Sequence, residues 1–405
     1  MKTDSAVSPY ESGAEAARPP RLASIDAYRG LVMFLMLAEV LELMTLKKSY
    51  PDSRLADWVN FHTTHVAWVG CSLHDMIQPS FSFLVGVSLP FSLAARQQRG
   101  SSFGTMALHA LWRSLVLIAL GIALRSIGKS SINYFFCDTL TQIGLGYFAL
   151  FLLGNAARWV QALSIVVILG CYWAWFALTP VVPPDFDLAS VGVPADWPHQ
   201  LSGFAAHWNK NANPAFAFDQ WFMNLFPREE PFKYDSGGYL TLNFIPTLAT
   251  MLLGTLAGGV LQRDGSMMRK SLLLFLPGLL MLAVGWSAGY FGICPVVKRI
   301  WTPAWVLYSG GICFLTLGGL YLLCDVAARR AWAWPLMVIG ANSILAYVMS
   351  WTLEKVLKRG LENYADWAFR WAGETWEPVL IGATVLLAMW LILWWLFRQR
   401  LFVRI

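Results

Sequence analysis

Apolar stretches of the length that carries a helix across a bilayer recur along almost the whole chain, separated by short polar interruptions. Crossing ~30 Å of hydrocarbon takes about 17 to 25 helical residues, and the pattern predicts ten spans. The first five cover Leu31 to about Leu46, about Leu73 to Ala95, Leu108 to Ile127, Thr139 to Gly154, and Val160 to Leu178. After a long polar interval come Leu240 to Leu261, Leu272 to Ile293, Trp301 to Leu323, Pro335 to Leu353 and Val379 to Phe397. The expected fold is an all-α polytopic membrane helix bundle. Gly86, Ser88 and Ser92 are small residues of the kind that let membrane helices approach closely.

Composition strengthens this reading. Of 405 residues, 57% are hydrophobic and 13% charged, with 21 Trp and 25 Phe, too apolar for a soluble globule of this length. The net charge of +6 has a topological explanation. With a cytoplasmic N-terminus, the inner side collects Arg96/Arg99, Arg263/Arg269/Lys270, Arg329/Arg330 and Arg398/Arg400/Arg404 and few acids. Positive residues stay inside, so N-in and C-in is the expected orientation, with membrane lipid as a partner and no nucleic acid. Residues 1–20 are polar and lack an apolar core, which predicts a disordered cytoplasmic tail and an uncleaved first span. Residues 21–405 then form the transmembrane domain. Among six cysteines, Cys171, Cys313 and Cys324 fall in or beside spans and no CxxC pair occurs, so no disulfide framework is expected.

The elaborated face is extracytoplasmic, with Lys47 to Ser72, a loop over 179–239, and Glu354 to Pro378. The loop 179–239 mixes Trp197, Trp208 and Trp221 with His199, His207, Asn209, Asn211, Asn213, Asp219 and Asp235. Rings and amides together suit a sugar; an interfacial aromatic belt is the alternative. No phosphate-cradling glycine motif is present, and Gly86-Val87-Ser88-Leu89-Pro90 lacks the last glycine of a nucleophile elbow.

Charges inside a bilayer are costly and mark function. Glu39 and Glu42 lie in the first span, Asp75 at the start of the second, Arg113 in the third and Asp138 before the fourth, with Asp26 three residues before Arg29. His62, His65 and His74 crowd the same end as the acids. A basic inner end and an acidic, histidine-bearing outer end suit either a proton-coupled transporter or a transferase that holds an anionic carrier at one end and moves protons at the other. A metal site from the three histidines is a third reading of a loose pattern, and no metal is assigned.

At this point the residues resemble a known family. Arg21-Leu-Ala-Ser-Ile-Asp26-Ala-Tyr-Arg29-Gly30 looks like the opening motif of the heparan-alpha-glucosaminide N-acetyltransferase family, part of a wider transmembrane acyltransferase group. Further blocks follow in the same order: His65 to Gly70, Asp75 with Pro79, Trp112-Arg113-Ser114, Leu140 to Tyr147, Gly238 to Asn243, Lys298 to Pro303, and Gly340 to Tyr347. The resemblance implies a bacterial inner-membrane, multi-pass enzyme that takes acetyl from cytosolic acetyl-CoA, its co-substrate, to the amine of a glucosamine-type sugar or glycan outside. A homodimer is compatible with it. The family's catalytic histidine falls at His65, its asparagine near the end of the first span at Val40 beside Glu39, and a second histidine at Ser350. The expected catalytic groups are therefore His65, Glu39 and Asp75, with His65 as base or as acetyl carrier. Arg29, Arg113, Asn243, Asn342 and Ser343 are the expected donor-binding residues: guanidinium forks on phosphates, and an asparagine amide on the oxyanion. An amino-sugar transporter and an envelope-glycan O-acetyltransferase are the alternatives.

Overall fold

The computed structural model describes residues 22–403, so the expected tail at 1–20 lies outside the described residues. Helices follow one another in the order α1 Ala23–Leu37, α2 Leu46–Ser49, α3 Arg54–Thr63, α4 Ile77–Gln98, α5 Phe103–Ser126, α6 Thr139–Gly154 and α7 Arg158–Leu178. Then come α8 Pro214–Phe222, α9 Phe244–Gln262, α10 Met267–Tyr290, α11 Pro303–Tyr321, α12 Trp334–Ala341, α13 Ser343–Trp351, α14 Leu353–Tyr364 and α15 Gly373–Arg398. The chain is an all-α bundle that crosses the membrane several times.

Among the described residues, seven helices are long and apolar enough to cross a bilayer, and α12 with α13 adds an eighth if that pair, bent by 69° at Asn342, counts as one span. The first and fourth of the ten expected spans fall short. In the first, α1 gives way to a tight turn over Ala38–Leu41, and Glu42 then takes a left-handed backbone with φ 48°. That conformation costs an L-residue roughly 1–2 kcal/mol and cannot continue a right-handed helix. The fourth, α6, is a 16-residue apolar helix, begun where Asp138 accepts the Thr141 N–H at 3.0 Å.

Close helix crossings come from glycine. On α9, a Cβ at Gly254 would lie 1.9 Å from the Phe83 carbonyl oxygen and one at Gly258 2.3 Å from that of Val87, so α9 seats directly on the α4 backbone. This is the small-residue packing that lets membrane helices gain dispersion contact without a hydrophobic drive.

Three connections on one end of the bundle are stitched together and build the site. Val69 and Val297 form an antiparallel bridge, the Gly70 N–H donates to the Val296 carbonyl at 3.0 Å, and Arg299 Nη1 donates to the Gly237 carbonyl at 2.8 Å while its other nitrogens reach the Val66 carbonyl. Trp68 is buried at the centre of this junction, its Nε1–H donating to the Trp208 carbonyl at 3.0 Å.

Candidate active site

Between α3 and α4 the chain folds back on itself. Asp75, wholly buried, accepts from the backbone N–H of Val66 at 3.2 Å and of Ser72 at 3.1 Å through Oδ2. Its Oδ1 meets His65 Nδ1 at 2.8 Å and Lys298 Nζ at 3.2 Å. Lys298 is itself buried and lies 3.1 Å from the same Nδ1. An ammonium has no lone pair to accept a proton, so the one assignment that satisfies all three groups has Nδ1–H and Lys298 both donating to the carboxylate. Nε2 is then the unprotonated nitrogen. Burial lowers the His65 pKa from 6.5; the hydrogen bond to Asp75 opposes this, and the charges on Lys298 and Arg299 reinforce it. The ring therefore stays neutral at physiological pH, which is the form a general base requires.

His65 opens on a cavity of about 540 Å³, a volume within the range of small-molecule sites, ~300–1,000 Å³. Glu39, His74, Asp138, Asp235 and Glu354 line it together with Lys298, Arg125 and Lys355. The His74 ring lies against that of His65, centroids 4.3 Å apart, and its Nε2 is 3.5 Å from Glu39 Oε1. Glu39 thus reaches the cavity but touches His74 rather than His65. His62 stands aside, its Nδ1 accepting the Leu73 N–H at 3.2 Å.

No protein-family model matches the chain. The heparan-alpha-glucosaminide N-acetyltransferase of Homo sapiens is 25% identical in an alignment covering 96% of this chain and 61% of that protein. The similarity to that protein runs along nearly the whole of this chain. The Mus musculus protein of the same name is 24% identical, with 98% of this chain and 62% of that protein covered. The chain spans about three fifths of the length of these curated relatives.

Against that relationship, the departures in sequence acquire positions. Val40, where the family's asparagine falls, is buried in the core, and its carbonyl packs against Gly382 of α15. Ser350, at the position of the second family histidine, lines the cavity. Of the expected donor-binding residues, Arg29 bonds Asp26 at 3.4 Å and Ser88 across α1 and α4. Arg113 donates to the Tyr147 hydroxyl at 3.0 Å and sits with Arg96 and His109 around a second, water-sized space of about 20 Å³. The two arginines do not share a pocket, and no residue lines both cavities.

The asparagines expected in the outer cavity are elsewhere. Asn243 Nδ2 donates to the Arg299 carbonyl at 2.8 Å. Asn342, at the α12–α13 bend, donates to the Leu401 carbonyl and accepts the Val403 N–H, both at 3.0 Å, which spends its amide on the C-terminal segment. Ser343 begins α13 beside it, away from the cavity. The aromatic and amide mixture of the 179–239 loop is likewise consumed locally. Trp208 is fully buried against Phe176, Asn209 bridges both backbone groups of Leu201, Asn213 caps α8, and Asp235 alone of the residues singled out there lines the cavity. Sequence reasoning passed over Lys298, Arg125 and Glu354. Lys298 stood inside a family block, which was the available signal.

Proposed function

We propose that the protein transfers acetyl from acetyl-CoA to the amine of a glucosamine-type sugar, with the transfer cavity on the extracytoplasmic side of a bacterial inner membrane and the N- and C-termini in the cytosol. One observation carries the reading: an imidazole whose Nδ1 meets a buried carboxylate and a buried lysine opens on a cavity bordered by Glu39 and Glu354. The carboxylates suit an arriving ammonium. Once that amine has shed its extra proton, its nitrogen attacks the thioester carbonyl and His65 Nε2 takes the remaining surplus proton as the C–N bond forms. Collapse breaks the C–S bond, and the imidazolium returns its proton to the leaving thiolate. Asp75 holds the ring throughout and stabilises the imidazolium. The donor approaches from the basic end, where the guanidinium groups of Arg96 and Arg113 suit its phosphates.

Purified protein with labelled acetyl-CoA tests this directly. His65→Ala is expected to abolish N-acetylglucosamine formation while the detergent-solubilised protein keeps its wild-type melting temperature. Undiminished product in that variant rejects the assignment.

A further inference from the structure

Arg125, near the end of α5, is held on three sides. Its Nε lies 3.7 Å from Asp138 Oδ2, and its guanidinium stands 4.9 Å from the Phe135 ring and 4.6 Å from the Trp351 ring. Asp138 is itself anchored, with no side-chain exposure and its Oδ1 capping α6. Gly121, one turn earlier on α5, makes the approach feasible, since a Cβ there would come within 2.8 Å of Asp138 Oδ1. Yet the terminal Nη atoms donate to no protein acceptor among the described residues, although the side chain is 35% exposed on the wall of the cavity that holds His65.

A guanidinium confined against two rings beside the Asp138 carboxylate has lost much of its rotamer freedom, so its outer N–H fork is ready for a ligand at little further entropic cost. The nature of that ligand follows from the surrounding charge. Asp138 offsets the arginine's charge, and Glu39, Asp235 and Glu354 outnumber Lys298 and Lys355 on the rest of the wall. A wall without net positive charge gives an anion no advantage over neutral oxygens.

We infer that Arg125 is an acceptor-binding residue whose Nη–H fork donates to hydroxyl oxygens of a pyranose, with Asp138, Phe135 and Trp351 holding the fork in place. The inference rests on the proposed function for the identity of the acceptor's amine end and adds the recognition of its ring.

The experiment compares glucosamine with cyclohexylamine, which keeps the six-membered ring and amine but has no hydroxyls. Both are titrated calorimetrically against the full chain in detergent without acetyl-CoA. Wild type is expected to bind glucosamine at least about tenfold more tightly. Arg125→Lys, which keeps the charge but loses the fork, should forfeit most of that preference and leave cyclohexylamine affinity unchanged. Equal affinities in wild type overturn the inference, and this measurement does not depend on any variant folding. Equal weakening of both ligands by Arg125→Lys also overturns it. Wild-type discrimination without any acetylated product would support the subsite and reject acetyl transfer, so the two readings fail separately.

Discussion

Replacing Lys298 with methionine removes a positive charge 3.1 Å from His65 Nδ1 while keeping the length of the side chain. At an effective dielectric constant near 20, unit charges at that distance interact by about 5 kcal/mol. The imidazole side chain is 37% exposed, and solvent screening reduces the effect. A shift of about 1–3 pKa units is the range neighbouring charges produce. The sign is upward: burial, Lys298 and Arg299 depress the wild-type value, and Lys298→Met removes one of the two charges that oppose stabilisation of the imidazolium by Asp75. The acid limb of kcat/KM therefore lies below pH 6.5 in wild type and moves up by about 1–3 units in Lys298→Met. Each unit by which it passes the assay pH lowers the rate about tenfold. Acetyl transfer to glucosamine measured from pH 5 to 9 reads this out, and the acceptor's own ionisation, common to both proteins, cancels in the comparison. Asp75→Asn is the opposing control. Loss of the carboxylate drives the limb down, and the amide can present its N–H to Nδ1, selecting the wrong tautomer with a rate loss of about 10²–10⁴. An unmoved limb in an active Lys298→Met protein refutes the assignment of Lys298 as a positioning residue.

Two further outcomes are expected. Burial and the neighbouring Glu39 raise the Glu354 pKa to about 7, so its charge is present above that pH and lost below it; amine affinity should rise as pH passes upward through 7, and Glu354→Gln should flatten that dependence in a binding titration, whereas an unchanged slope removes Glu354 from amine recognition. Gly258→Leu forces a side chain against the Val87 carbonyl, where a Cβ alone would lie at 2.3 Å, and should cost at least about 1–3 kcal/mol, read as a lower melting temperature in detergent; an unaltered melt rejects the close α4–α9 crossing.

Much of this architecture was legible because polar residues are exceptional in so apolar a chain. His65 and Asp75 stood out as titratable groups beside a span, and ten residues of separation left room for a turn back. The bundle followed from the lengths of the apolar runs, but the break in its first span did not. Nothing in the residues around Glu42 marks the reversal that follows the first helix, because a left-handed residue other than glycine carries no compositional sign. An amide in an apolar segment, such as Asn342, invites a place in a cavity, whereas its hydrogen-bond partners lie 59 and 61 positions away, just beyond the end of α15. Lys298 could not be placed at all. A lysine between two spans reads as an ordinary interfacial cation, and its burial depends on the pairing of Val69 with Val297, a single bridge between loops without periodicity.

That bridge has a chemical consequence. A carboxylate alone behind a buried imidazole makes the ring a stronger base but a poorer acid, so that a captured proton is retained. Here the same oxygen of Asp75 also meets Lys298, and an imidazolium would face an ammonium at 3.1 Å. The pair of partners fixes the tautomer through the carboxylate while the lysine charge keeps the protonated ring short-lived. The proposed transfer needs both properties, because in it the proton taken from the amine must reach the departing thiolate within the same turnover. The left-handed backbone at Trp301, φ 48°, closes the turn in which its N–H donates to the Lys298 carbonyl at 2.9 Å. The roughly 1–2 kcal/mol stored in that residue is offset by the fully buried packing of its indole.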